Sequence, residues 1–300
     1  MAETTPQAAR AALRARVDAR LAGSPAEGWL ERHLGGDLDS ARGQVSAALR
    51  ELGRRPLVAA FAERAGARTP SVWGAVPVGE WTTAEAVAVL LLAAAADADD
   101  VPVPYAALFR AYDLGDTGTR VAALRALSFV RRGDPAPGLE LVLDAGRTSL
   151  TPLLRAAWCG NPFSAAALSD HDYRKAVLKA FFCDVPVEEF LRLDERADAE
   201  LARSLCEYVD ERLAAGRPVP RAIWAIAAHF PRPGLVARLI GNLEHPDAEE
   251  RQVAARALAN AQDPRAHSFV VERLAREEHT GVREALERAR ARIAAADGAA

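Results

Sequence analysis

The chain has 300 residues, 50% of them apolar, 26% charged and 6% aromatic, and 67 are alanine. That composition excludes intrinsic disorder, which needs low hydrophobicity and high net charge, and it opposes an all-β fold, because alanine forms helices well and strands poorly. The formal net charge of −3, from 38 basic and 41 acidic residues without a charge block at either end, points away from nucleic acid and anionic lipid as partners.

In chain order, the start at Met1-Ala2-Glu3 carries no apolar signal core, so a cytoplasmic protein is expected. Ser24, Pro25 and Glu27 read as a capping box with proline at the first helical position. Trp73 and Trp81 flank a Gly/Pro-rich turn over 74–79; indoles in that setting either form a ligand wall or plug a joint between helical layers. Thr82 and Glu85 form a second capping box. It opens the longest uncharged apolar run, residues 86–96, which is far short of the about 20 residues of a membrane span. No segment alternates with a period of two, and there is no Asn-Gly or Asp-Gly hairpin signal. Start and stop signals predict roughly 14 helices. Cys159, Cys183 and Cys206, an odd set without a close pair, suit free thiols in a reducing compartment.

Residues 115–127 and 246–258 look like copies of one another. They share Asp116/Asp247, Arg120/Arg251, Ala123/Ala254, Arg125/Arg256, Ala126/Ala257 and Leu127/Leu258, and a weaker third copy opens at Gly281-Val282-Arg283. These resemble the helix pairs of HEAT-like repeats, in which each pair buries its apolar stripe only by stacking on its neighbours. The aspartates and arginines are expected to bridge turns, with Arg120 and Arg251 held by carboxylates. Residues 232–296 form the last repeats, whose outer charges suit either a solvated end cap or a docking face for a partner.

Phosphate-loop, dinucleotide, nucleophile-elbow and zinc-protease motifs are all missing. The six histidines are scattered, and His171-Asp172 lacks the companions a metal site needs. No cofactor or metal is expected. The densest polar-aromatic segment runs from Trp158 through Asn161 and Phe163 into a helix over 172–182. There Tyr173, Val177, Ala180 and Phe181 make a core stripe, opposite Asp172, Lys175 and Lys179. The two lysines are the only ones beside 36 arginines. On an outer helix they meet solvent. On an inner helix they meet a groove, where two amines suit an anionic metabolite.

Asn161-Pro162-Phe163, the helix over 173–182 with its Val177-Leu178-Lys179-Ala180 run, the segments 196–203, 208–212 and 215–220, and the upstream element 114–120 together resemble the EboA family. The likeness covers roughly residues 100–230, and it departs where the family has Trp-Asn-Gln-Met and this chain has Tyr173-Arg174-Lys175-Ala176. The resemblance implies a cytoplasmic, non-catalytic helper of secondary-metabolite precursor trafficking. It also implies that the helper acts with other proteins of its pathway, beside a UbiA-type membrane prenyltransferase.

The sequence therefore predicts an all-α protein, an α-solenoid or layered helical array with HEAT-like repeats at its C-terminal end. It divides into N-terminal helices over 1–57, an EboA-like region over 58–231 and repeats over 232–300. Trp158, Asn161, Phe163, Tyr173, Lys175 and Lys179 are the candidate ligand or partner residues. Asp116, Arg120, Arg125, Asp247, Arg251 and Arg256 are the structural ones. The alternatives are a generic HEAT-like protein-binding adaptor and an enzyme using Lys179 as an amine nucleophile or base, with Asp172 or His171 beside it. Far-UV circular dichroism should give a helical spectrum; a dominant strand signal would contradict the fold class.

Overall fold

Residues 4–98, 101 and 103–297 are described by a computed structural model. Helix α1 (Pro6–Leu21) starts at Thr5, whose hydroxyl accepts from the Ala8 amide, and buries Ala9, Leu13, Val17 and Leu21 at four-residue spacing. After it come α2 (Trp29–His33), α3 (Leu38–Glu51) and α4 (Phe61–Arg64), then a hairpin of β1 (Arg68–Ser71) and β2 (Gly74–Pro77), then α5 (Thr83–Ala96). Helices α6 (Pro104–Asp113), α7 (Thr117–Ala126), α8 (Ala136–Arg147), α9 (Thr151–Trp158), α10 (Pro162–Ala167) and α11 (Asp170–Phe182) complete the first of two compact units, Met1–Arg192. The second unit, Leu193–Ala300, holds α12 (Leu193–Arg196), α13 (Ala199–Ala214), α14 (Ala222–Ala227), α15 (Pro233–Asn242), α16 (Ala248–Ala261), α17 (His267–Arg276) and α18 (Thr280–Asp297). Among the described residues the hairpin is the only sheet, so the all-α fold class stands. The helix count is higher than expected because several helices, such as α2 and α4, are one-turn pieces without a periodic pattern of their own.

The first unit is organised around α5. This helix buries residues on every face, from Thr83 to Ala96, and α1, α3, α6 and α7 all pack on it. The Thr82 capping box forms as expected, with Glu85 Oε2 accepting from the Thr82 amide at 2.8 Å. Because α1 and α3 share this core, the division into units falls at Arg192/Leu193, inside the segment expected as the middle region. The Ser24 capping box does not form. Glu27 accepts from the Gly23 amide, Ser24 Oγ donates to Leu21 O, and helix resumes only at Trp29, after Gly28 at φ 70°.

The repeated arginines fold back on the turn before their own helices. Arg120 Nε donates to Gly115 O at 3.1 Å and Arg251 Nη1 to Pro246 O at 2.9 Å, each five residues back, while Arg283 Nη1 donates to Glu277 O at 2.8 Å. Arg120 uses carbonyls alone, with its guanidinium 5.2 Å over Tyr112, so the carboxylate partner expected for it is replaced by backbone. Arg251 does find a carboxylate. It grips both oxygens of Glu277, at 2.8 and 3.0 Å, and Arg273 adds a bond of 2.6 Å from its own side.

Glu277 is buried, and the Arg251 hydrogen bonds, with help from the His279 amide and Arg273, lower its carboxyl from 4.5 to about 2. A folded carboxyl that titrates below its unfolded counterpart stabilises fully above the unfolded value and loses that contribution as pH falls through the folded one. Here the shift corresponds to about 3 kcal/mol. Urea unfolding should therefore show the second unit weakening between about pH 5 and pH 2. Glu277→Gln should destabilise it at neutral pH and flatten that dependence, and Arg251→Ala, which leaves the buried carboxylate to Arg273 and the His279 amide, should cost about 1.5–3 kcal/mol.

Candidate functional site

The hairpin pairs Arg68 with Pro77 through Ser71 with Gly74, around a two-residue turn of Val72 and Trp73. Ser71 closes that turn: its hydroxyl donates to Gly74 O at 2.6 Å and accepts from the Trp73 amide. Trp73 is the plug. Its indole N–H reaches the Tyr105 hydroxyl at 3.0 Å, its ring meets Phe163 edge-on at 5.3 Å, and Arg132 lies 4.7 Å over it. Trp81, beyond the hairpin, stands on the wall of a cleft.

Two glycines allow that cleft to form. A Cβ on Gly79 would lie 2.0 Å from Arg64 O, and one on Gly160 would lie 2.4 Å from Pro77 Cγ; Gly160 also has φ +58°. The Gly160 amide donates to Glu189 O at 2.8 Å, and Cys159 pairs with Phe190 in an antiparallel bridge. The foot of the hairpin, the corner between α9 and α10 and the 3-10 turn Val187–Glu189 with Phe190 and Leu191 thus close around a volume of about 270 Å³.

Four arginines, Arg64, Arg68, Arg125 and Arg155, and three glutamates, Glu80, Glu188 and Glu189, line it, with Trp81 and Phe190 as apolar walls. Arg64 Nε and Arg68 Nη1 are tethered to backbone carbonyls, of Val58 and of Ala65 and Ala67. Arg155 binds both oxygens of Glu189, at 2.9 and 3.0 Å. Arg125 lies 4.7 Å over Trp81 and 3.0 Å from Glu85; burial pulls its value below that of an ordinary guanidinium, and Glu85 opposes the shift. Arg125 also borders an apolar cavity of about 170 Å³ beside Leu49, Ala88 and Val121. The Cys159 thiol is pushed up to about 12 by burial first and the Glu189 charge second, so it stays protonated. Guanidiniums beside aromatic walls suit an anion with an apolar body.

The residues singled out from the sequence sit behind this cleft rather than in it. Asn161 caps α10 and donates to Leu124 O and Ala156 O, at 3.2 and 3.0 Å. Phe163 is fully buried. Trp158 and Tyr173 pack on Phe190, each at 6.0 Å between ring centres, and the Tyr173 hydroxyl donates to Leu191 O. They hold the Phe190 edge that faces the cleft.

The two lysines of α11 have different surroundings. The Lys179 ammonium donates to Gly146 O at 2.6 Å near the end of α8, Lys175 is exposed, and Asp172 accepts from Ser169 Oγ. Asp116 caps α7 and Asp247 caps α16, while Arg256 is exposed. Of the structural set only Arg125 reaches the cleft. Arg64, Arg68 and Arg155 carry no distinguishing local pattern among 36 arginines, and the sequence gives no signal that would have found them.

Comparison with known families places these observations. The profile of the family described as "Metabolite traffic protein EboA" matches residues 42–228, reaching further toward the N-terminus than the short motifs do. A profile of HEAT repeats matches residues 220–291. No curated protein and no solved structure matches the chain significantly.

If the Gly160 close approach shapes the cleft, Gly160→Ala should lower the melting temperature, with about 1–2 kcal/mol from the left-handed backbone alone. Gly133→Ala, where a methyl meets open space, should stay within about 0.5 kcal/mol of the wild type.

Proposed function

The chain belongs to the EboA family of metabolite traffic proteins, and from that membership we propose that it is a non-catalytic handling protein whose arginine-lined cleft holds an anionic metabolite of its pathway. The observation that carries this reading is the convergence of Arg64, Arg68, Arg125 and Arg155 on one cleft inside the family-matched region. The lining supports handling rather than chemistry. It contains no histidine, its one thiol is held protonated, and of its three carboxylates, Glu80, Glu188 and Glu189, the last is tied to Arg155. Its partners are other proteins of the pathway, among them a UbiA-type membrane prenyltransferase that makes or receives the metabolite. No described helix is long and apolar enough to cross a membrane, so such a partner would supply any helical span. The HEAT repeats over 220–291 favour a second role, as an adaptor for a protein segment.

The test is an extraction. Protein purified from its own cells should release an acidic small molecule on denaturation, detected by mass spectrometry. The Arg64→Gln, Arg68→Gln double variant should keep the wild-type melting temperature and release about ten-fold less or lower, the scale of losing charged hydrogen bonds. Equal release from the variant, or none from the wild type, would overturn the carrier reading. In the second case, crosslinking of the protein to its prenyltransferase would leave the adaptor role.

A further inference from the structure

The segment between α3 and β1 carries an apolar tip that stands in solvent. Ala59, Ala60, Phe61 and Ala62 are all exposed, and Phe61, at the start of the one-turn α4, keeps 82% of its surface open. The Arg64 guanidinium lies 5.6 Å from its ring centre. Four consecutive exposed apolar residues are out of place on a surface that meets only water.

Arginines border that tip. Arg54, Arg55, Arg64 and Arg68 lie on the same segment. Arg16 and Arg20, one turn apart on α1, reach it from the side: Arg16 Nη2 donates to Arg68 O at 2.6 Å and Arg20 Nε to Pro56 O at 2.9 Å. Arg64 and Arg68 are tied to carbonyls of the segment itself. These backbone contacts fix the side chains and leave their charge uncompensated. Among the described residues none of the six has a carboxylate partner, whereas Arg203, Arg221, Arg238 and Arg251 of the second unit all have one. Against the six stand Glu63 on the segment and Glu80 and Glu188 in the adjoining cleft; Asp18 is taken by Arg14 at 3.4 Å. The patch is therefore net positive. The even charge of the whole chain, which points away from anionic lipid, hides it because its members come from two segments far apart in sequence.

We propose that this patch docks the protein on an anionic lipid bilayer. Phe61 and its flanking alanines enter the boundary between headgroups and acyl chains, and the arginines meet lipid phosphates. An apolar anchor and a basic patch each hold weakly to a membrane, and stable attachment takes both. A ring that stands out from the surface needs a matching pocket on a protein partner, whereas a bilayer receives it anywhere. Arg64 and Arg68 also line the cleft of the first unit, so docking sets that edge of the cleft against the lipid. The docking does not depend on what the cleft holds.

The test is sedimentation of the full chain with vesicles. Vesicles of equal parts phosphatidylcholine and phosphatidylglycerol should carry the protein into the pellet at low salt. Pure phosphatidylcholine should leave it in the supernatant, and about 1 M salt, where the screening length falls to about 3 Å, should release it. The Arg54→Gln, Arg55→Gln variant alters no cleft residue and should bind about ten-fold more weakly, the scale of two charges at an anionic surface. Phe61→Ser should weaken binding about five-fold or more. All three side chains are exposed, so the melting temperature should stay at the wild-type value. Phe269→Ser is the control: that ring is also exposed, but Arg273 and Arg276 on its helix are paired with Glu244, and this variant should bind as the wild type does. Failure to bind the anionic vesicles, equal binding to pure phosphatidylcholine, or wild-type binding by Phe61→Ser or by the Arg54/Arg55 variant would each overturn the proposal. So would loss of binding in Phe269→Ser, or tighter binding to polyglutamate or single-stranded DNA than to the vesicles.

Discussion

A helix that is apolar on all its faces has to be surrounded, and α5 is that helix. Its residues from Thr83 to Ala96 are almost all buried, which forces α1, α3, α6 and α7 to pack around it. Small alanines make this possible, because they let neighbouring backbones come close without leaving voids. Both ends of α5 are tied by charge. Glu85 in its first turn caps the Thr82 amide and stands 3.0 Å from Arg125, and Asp97 after its last turn pairs with Arg10 at 2.7 Å and Arg131 at 3.3 Å. The N-terminal tie is also where the cleft begins, since Arg125 lies over Trp81 just before that cap. The core of the first unit and its candidate site therefore share one set of side chains.

Arginine does three separate jobs in this chain. In the repeats it reaches back to carbonyls of the turn before its own helix. Around Glu277 it neutralises a buried carboxylate, an arrangement that stabilises only while every member is paired. In the cleft of the first unit it is held in place by backbone carbonyls or a carboxylate. The planar guanidinium, with five donors in a fixed fork, can anchor itself and still bind, which an ammonium on a flexible stem does less well. Lys179, spent on Gly146 O, shows the contrast.

Helices, their caps and the repeated Asp/Arg pattern were legible in the sequence because they rest on residues close together along the chain. The box at Thr82 and the stripe of Tyr173, Val177, Ala180 and Phe181 both appear as read. The hairpin was not legible. Its first strand is Arg68-Thr69-Pro70-Ser71, whose inward residues Thr69 and Ser71 are polar, so no apolar alternation marks it, and Ser71 closes the turn where an Asn-Gly pair would have announced one. The failed box at Ser24 is the converse case: the right residues were present, but the Gly23 amide and the end of α1 competed for them.

The sequence by itself determined the fold class, the repeat character of the C-terminal unit and the family. All three depend on composition, short-range period and ordered motifs, which survive without coordinates. Only the tertiary structure decided which residues meet. Arg64, Arg68, Arg125 and Arg155 come together because Gly79 and Gly160 let distant backbones approach, and Asn161, Trp158 and Tyr173 turn out to support that cleft from behind. Which of 36 arginines faces a cavity is fixed by packing between segments up to about a hundred residues apart, and no local pattern records it.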